Sequence, residues 1–234
     1  MGSSSFRFKQ FEVWHDRCAQ RVGTDGVLLG SWAKVEGRCH ILDIGTGTGL
    51  IALMAAQREL KAHVVGVEID PEAALQAREN VSRSPFAERV EIVQSDVREY
   101  SAPQAFDCIL CNPPFFTEDT LPPDAQRAMA RNVALLGFEE LIVSLDRLLY
   151  YRGTFNVILP ATEVDAFVSL CFNNGLKNTR RCWVRTVVGK QPKRCLLEFS
   201  REGTIFSESE ELVLQERDGT RTSAYQELAR DFYL

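Results

Sequence analysis

Between residues 39 and 200 the chain alternates short apolar runs rich in Val, Ile and Leu with longer stretches whose apolar residues recur at helical spacing. Nearly continuous apolar runs of four to eight residues are the mark of strands buried on both faces of a parallel sheet. They predict strands at 39–44, 63–68, 90–94, 106–111 and 154–159. Helices are expected between them at 50–57, 70–82, 125–150 and 162–173. Asp70-Pro71 marks one helix start: the carboxylate accepts a free backbone N–H, and proline fits the first helical position because it has no N–H to leave unpaired. Two further runs, 176–188 and 195–200, predict a β-hairpin around residues 189–193. A last helix is expected at 224–232, with Ser223 and Gln226 at capping-box spacing. Residues 112–123 hold four prolines and read as a loop. The alternation predicts an α/β fold, a doubly wound and mostly parallel sheet of seven strands. It spans residues 39–234, preceded by a short extension, residues 1–38, that contacts the ligand site.

Composition removes several classes. With 45% hydrophobic and 25% charged residues, the chain reads as an ordinary soluble protein. No run approaches the roughly 18 consecutive apolar residues of a membrane-spanning helix, and residues 1–5 lack the apolar core of a signal peptide. Seven irregularly spaced cysteines read as reduced thiols and point to the cytoplasm. Cys108 and Cys111 form a CxxC inside an apolar run without a second ligand pair, and His15, His40 and His63 are scattered, so no metal is expected.

The first chemical signal is Leu42-Asp43-Ile44-Gly45-Thr46-Gly47-Thr48-Gly49, set between a predicted strand and helix. Glycines there allow a tight turn and a close approach of backbone to ligand. The spacing is GxGxG, neither the GxGxxG of dinucleotide sites nor a phosphate loop ending in Lys-Ser/Thr. Asp43, just before the glycines, suits a cationic ligand group better than a pyrophosphate. Glu68, at the end of the next strand, is placed to accept hydrogen bonds from ribose hydroxyls. Asp96, after the third strand, is placed to bind an adenine amino group, or else to cap the next helix. An adenosine with a positively charged amino-acid tail describes S-adenosylmethionine.

The second signal is Asn112-Pro113-Pro114-Phe115, at the C-terminal end of the fourth strand, the ligand-binding edge of an open α/β sheet. Two prolines fix the backbone and leave carbonyls that only accept. The Asn112 side-chain oxygen and the Pro113 carbonyl can hold both hydrogens of a conjugated amino group and favour a pyramidal nitrogen, whose lone pair then attacks a methyl group. Catalysis of this kind is positioning and electrostatics. Phe115 offers a flat face for a base.

From Asp43 to Phe115 the motifs resemble class I S-adenosylmethionine-dependent methyltransferases that act on amino groups. Phe8-Lys9-Gln10-Phe11, His15-Asp16-Arg17-Cys18, the run from Val22 to Gly30, Ser84-Pro85-Phe86-Ala87-Glu88-Arg89, Ala130-Arg131 and the Phe232-Tyr233-Leu234 ending are similar to the bacterial tRNA1(Val) (adenine-37-N6)-methyltransferases. The resemblance implies methylation of adenosine 37 after the base is extruded into the pocket, with S-adenosylhomocysteine as product and no metal. It implies a cofactor site of Thr24, Asp25, Asp43, Gly45, Gly47, Gly49, Glu68, Ile69, Asp96, Val97 and Asn112. The base would meet the segment from Asn112 to Phe115, and Lys9, Thr24 and Asp25 would lie near cofactor or base. Phe115 stands where relatives often have Tyr. A protein glutamine N5-methyltransferase of the release-factor type shares the Asn-Pro-Pro chemistry and is the alternative, as is another N-methyltransferase acting on RNA. A non-catalytic RNA-binding protein and a nicotinamide dehydrogenase fit less well.

Charge adds an RNA surface to this reading. The net charge is −5, yet residues 177–194 carry +7 with no acid, leaving −12 on the rest. The predicted hairpin tip, with Lys190, Lys193 and Arg194, is expected to contact phosphates, aided by Lys9 and Arg131. The expected partner is the tRNA anticodon stem-loop, bound by a monomer without a membrane.

Overall fold

The computed structural model describes residues 5–18, 22–113, 136–206 and 209–234. The described chain opens on a small antiparallel ladder, β1 (Ser5–Arg7) against β2 (Glu12–Trp14), and a helix, α1 (Thr24–Trp32). Then follow β3 (His40–Ile44), α2 (Leu50–Arg58), β4 (His63–Glu68), α3 (Pro71–Ser82), β5 (Val90–Gln94) and β6 (Phe106–Cys111). After them come α4 (Phe138–Leu148), β7 (Leu149–Pro160), α5 (Val164–Asn173), β8 (Lys177–Val187), β9 (Arg194–Ser200), β10 (Glu210–Gln215) and α6 (Ser223–Leu228).

Apart from the β1–β2 ladder, the strands form one sheet in the order β10-β8-β9-β7-β6-β3-β4-β5. It is parallel except where β9 pairs antiparallel with both β7 and β8. The expected seven strands are therefore eight among the described residues. The added one, β10, joins β8 in parallel at the sheet edge, where its Glu-Glu start and half-buried face gave it no continuous apolar run. Successive residues of each strand face opposite layers. Ile41, Val64, Cys108 and Leu110 pack with α1, α2, Phe8 and Phe11 on one side. Leu42, Val65, Ile109 and Cys111 pack with α4 and α5 on the other. Cys108 and Cys111 thus lie in different cores and cannot share one ion. Burial pushes the Cys108 thiol up to about 12.

Asp70 caps α3 as expected, accepting from the Ala73 N–H at 2.8 Å, with Pro71 behind it. Two boundaries differ. The helix expected at 125–150 ends at Leu148: Leu149 turns extended (φ −84°, ψ 124°) and pairs with Phe106, because the apolar run Leu148-Leu149-Tyr150-Tyr151 suits either state and pairing with β6 decides it. Its first part, 125–135, lies outside the described residues. The last helix is shorter, and its cap is Thr222 rather than Ser223, the Thr222 hydroxyl accepting from the Tyr225 N–H.

Candidate functional site

From β3 the chain winds outward to β4 and β5, then returns to β6 on the other side of β3. Such a switch point opens a crevice at the C-terminal strand ends. Ile44 and Cys111 are register partners, so the next residues, Gly45 and Asn112, leave the sheet side by side. Gly45 (φ +67°) and Gly47 (φ +53°) adopt the left-handed turn that glycine alone enters freely. A Cβ built on Gly45 would meet no protein atom within 4 Å, so it faces open space. The Gly45 and Thr46 N–H groups donate to the Val67 carbonyl, tying the loop to β4.

That space is two cavities with a common wall. One, of about 320 Å³, is lined by Glu68, Ile69, Asp96 and Val97. The other, of about 500 Å³, is lined by Thr24, Asp25, Ile51 and Arg194. Gly45, Gly47, Asn112 and Pro113 line both. Gly49 lines neither; it starts α2, where a Cβ would lie 3.5 Å from Ala77.

The three acids differ in setting. Asp43, expected beside the ligand, is wholly buried and lines neither cavity. One of its oxygens accepts from the Thr46 hydroxyl (2.6 Å) and the Ala52 N–H (3.2 Å), and the other has no partner among the described residues. Burial pushes its carboxyl up to about 7 against those two bonds, and the charge of Glu68 adds to the rise. Glu68 accepts the Gly47 N–H at 2.9 Å and the Asp70 N–H at 3.0 Å, so it braces both the glycine loop and the start of α3. Asp96 is gripped by the Arg98 guanidinium at 2.9 Å through both carboxylate oxygens, which holds its carboxyl below the usual range. It also receives the Arg98 backbone N–H, closing a turn where a helix start was expected. Arg98 continues to Glu140 at 2.9 Å and fastens this wall to α4.

Asn112 is half-buried, and among the described residues its carboxamide has no hydrogen-bond partner. Pro113 beside it is buried. Pro114, Phe115 and Arg131 lie outside the described residues.

Of the remaining basic positions, Lys190 and Lys193 stand on the β8–β9 connection. Arg194 does not project with them. As the first residue of β9 it turns into the larger cavity and pairs with Asp25 at 2.8 Å. The Lys9 ammonium donates to the Arg230 carbonyl, and its N–H to that of Phe232. Phe8 and Phe11 are core residues, whereas Phe6 is partly exposed.

Two residues that brace the site were not evident from sequence. Buried Asn80 on α3 accepts the Trp14 N–H and donates to the Trp14 and Thr48 carbonyls, all at 2.9 Å, linking β2 to the glycine loop. A polar residue on the buried face of α3, which it shares with Gln76, was the available signal. For Arg98, it was an Asp-x-Arg immediately after a strand.

The Methyltransferase small domain family matches residues 20–149. A tRNA1(Val) (adenine(37)-N6)-methyltransferase of Bacteroides thetaiotaomicron is 46% identical over all of this chain and 99% of its own. One of Tolumonas auensis is 43% identical over all of this chain and 98% of its own. Among solved structures, a predicted O-methyltransferase of Agrobacterium tumefaciens superimposes with a TM-score of 0.66 at 19% identity, covering 89% of this chain and 96% of that one. The ribosomal protein L11 methylase of Lactobacillus delbrueckii gives 0.52 at 18% identity, covering 75% and 76%. These two share the fold. With full-length identity above 40% and a domain match across more than half of its residues, the chain belongs to the tRNA1(Val) (adenine(37)-N6)-methyltransferase family of methyltransferase small domain proteins.

Proposed function

We propose that this protein transfers a methyl group from S-adenosylmethionine to the exocyclic N6 of adenosine 37 in tRNA1(Val). The observation that carries the reading is the Asn112 carboxamide, without a hydrogen-bond partner among the described residues and set beside Pro113 on the wall between the two cavities.

The residues present fit the cofactor. Asp43 keeps a buried oxygen without a partner among the described residues, as suits a cationic amino group nearby. Gly45 leaves open room for a ligand, and Glu68 retains lone pairs for ribose hydroxyls beyond those used by two N–H groups. Ile69 and Val97 supply apolar lining, while Asp96 divides its carboxylate between Arg98 and the cavity. When bound, S-adenosylmethionine supplies a methyl group made electrophilic by its sulfonium and leaves as S-adenosylhomocysteine.

The larger cavity then takes the target base, extruded from its stack. Asn112 Oδ1 and the Pro113 carbonyl accept the two amino hydrogens, which draws the N6 lone pair out of conjugation and aims it. The amine's proton leaves to water after the new C–N bond forms, so no strong base is required. Phe115 stacks on the base. All seven cysteines are free thiols, which supports a cytoplasmic setting. Among the described residues no helix is long and apolar enough to cross a membrane.

The test is methylation of unmodified tRNA1(Val) by the purified protein, read by nucleoside mass spectrometry. N6-methyladenosine at position 37 is expected. Inert tRNA alongside a methylated glutamine in a release factor would overturn the reading.

A further inference from the structure

The same sheet edge carries a third cavity, of about 330 Å³, whose wall includes Phe6, Thr186, Gln215, Arg221, Tyr225 and Tyr233. Because β8 and β10 run parallel to β7, β6 and β3, their C-terminal ends, with Thr186 and Gln215, lie on the edge that bears the reaction site. The third cavity meets the 500 Å³ cavity at Val22, Gly23 and Thr24, which line both. The three cavities therefore form a row, with the proposed reaction site in the middle.

The chemistry of the third differs from that of an ordinary core gap. The Tyr233 ring stands edge-on to Phe6 at 6.0 Å and to Tyr225 at 6.2 Å, and the two tyrosine hydroxyls are 3.0 Å apart. Phe6 is 37% exposed. The Arg221 guanidinium lies 4.3 Å from the centre of the Tyr233 ring, and among the described residues no carboxylate pairs with it. Arg180, Arg185 and Arg194, on the neighbouring strands, each have one. Aromatic faces with a planar cation that no carboxylate neutralises recognise a nucleobase and its phosphate. At about 330 Å³ the cavity falls in the small-ligand range of roughly 300–1,000 Å³.

We infer that this cavity binds a nucleotide of the RNA adjacent to the methylated adenosine, its base against the exposed Phe6 ring and its phosphate on Arg221, which stands over Tyr233. The inference rests on the tRNA reading above. Extruding one base leaves its neighbour with an uncovered face, and a stacking site next to the reaction cavity covers it.

Two measurements on the full chain test this. The first uses tRNA1(Val) carrying 2-aminopurine at position 36 or 38. Wild-type protein is expected to change the fluorescence at one of them, and Phe6→Leu, which keeps apolar bulk but removes the aromatic face, to abolish the change. The second is steady-state methylation by Arg221→Gln, an exposed position. KM for tRNA should rise about 10-fold with kcat within about 2-fold, and the slope of log KM against log salt should fall by about one. Melting temperature and S-adenosylmethionine affinity should match wild type in both variants. Unchanged KM and salt slope in Arg221→Gln, or full fluorescence response in Phe6→Leu, would overturn the inference while leaving the methylation reading intact. A wild-type protein that binds S-adenosylmethionine yet leaves tRNA unmethylated overturns that underlying reading first, and the inference with it.

Discussion

The carboxylates at the ends of β3 and β4 and the arginines on β8 and β9 are both dense charge clusters, but they are held by different means. Asp43 and Glu68 are fixed by N–H and O–H groups of the loops they adjoin, within 21 residues along the chain. The arginines are matched by acids from elsewhere: Arg180 by Glu210 at 3.0 Å, Arg185 by Glu211 at 2.9 Å, and Arg194 by Asp25, 169 residues away. Arg180 also lies 4.0 Å over the Trp32 ring. Ion pairs this exposed contribute little stability, about 0–1 kcal/mol, but they remove free positive charge. The +7 segment therefore offers RNA less than its formal charge. Among its residues Lys177, Lys190, Lys193 and Arg181 have no carboxylate partner among the described residues.

If the acid end serves the cofactor and reaction while the basic end serves only affinity, substitutions should separate accordingly. The largest effect is expected for Asn112→Ala, with kcat lower by about 10²- to 10³-fold and S-adenosylmethionine affinity retained by calorimetry. Full activity would break the assignment. Next, Glu68→Ala removes two backbone anchors and the ribose acceptor together. Its dissociation constant for S-adenosylmethionine should rise about 10- to 100-fold, each hydrogen bond to a charged group being worth about 1.5–3 kcal/mol. At the basic end, Lys190→Ala and Lys193→Ala should each weaken tRNA binding a few-fold and lower the salt slope by about one. Arg185→Ala, whose charge Glu211 already matches, should do less; an equal loss in a filter-binding titration would erase the distinction between paired and unpaired cations.

The smallest effect is one of stability and runs with pH. The carboxyl of Asp43 sits near 7 in the folded chain, against 3.8 for an ordinary aspartate. Between those values the folded form holds a proton that the unfolded chain has lost, so this group's contribution to stability fades as pH rises through 7. Asp43→Asn should accordingly melt roughly 2–4 °C above wild type at pH 8, with the gap closing toward pH 5. Calorimetric scans would show it, and a gap widening toward acid would contradict the burial argument.

The same contrast explains what could be read in the sequence. The β3–α2, β4–α3 and β6 turns carry their chemistry in contiguous letters, and β3, β4 and β6 fall within a residue of the expected positions because each is a largely buried apolar run. β10 was not foreseen because half of its residues face solvent or partners, and its Glu210 and Glu211 take their meaning from arginines some 30 residues earlier. Arg194 was misplaced for a similar reason. Its position in the sequence is at a hairpin tip, but antiparallel pairing with Pro160 makes it a strand residue beside the reaction cavity. Asn80 is marked locally only as a polar residue on a buried helix face; its three hydrogen bonds reach Trp14 on β2 and Thr48 in the glycine loop.

The pairing of Ile44 with Cys111 sets a limit on how this protein can vary. One residue inserted into β6 would advance Asn112 by about 3.3 Å and turn every later side chain to the opposite face, separating it from Gly45. An insertion into the 188–193 connection would disturb no such register. Length changes among descendants of this chain should therefore accumulate in that connection and be purged where β3 and β6 end side by side, letting the proposed RNA surface drift while the proposed reaction site stays fixed.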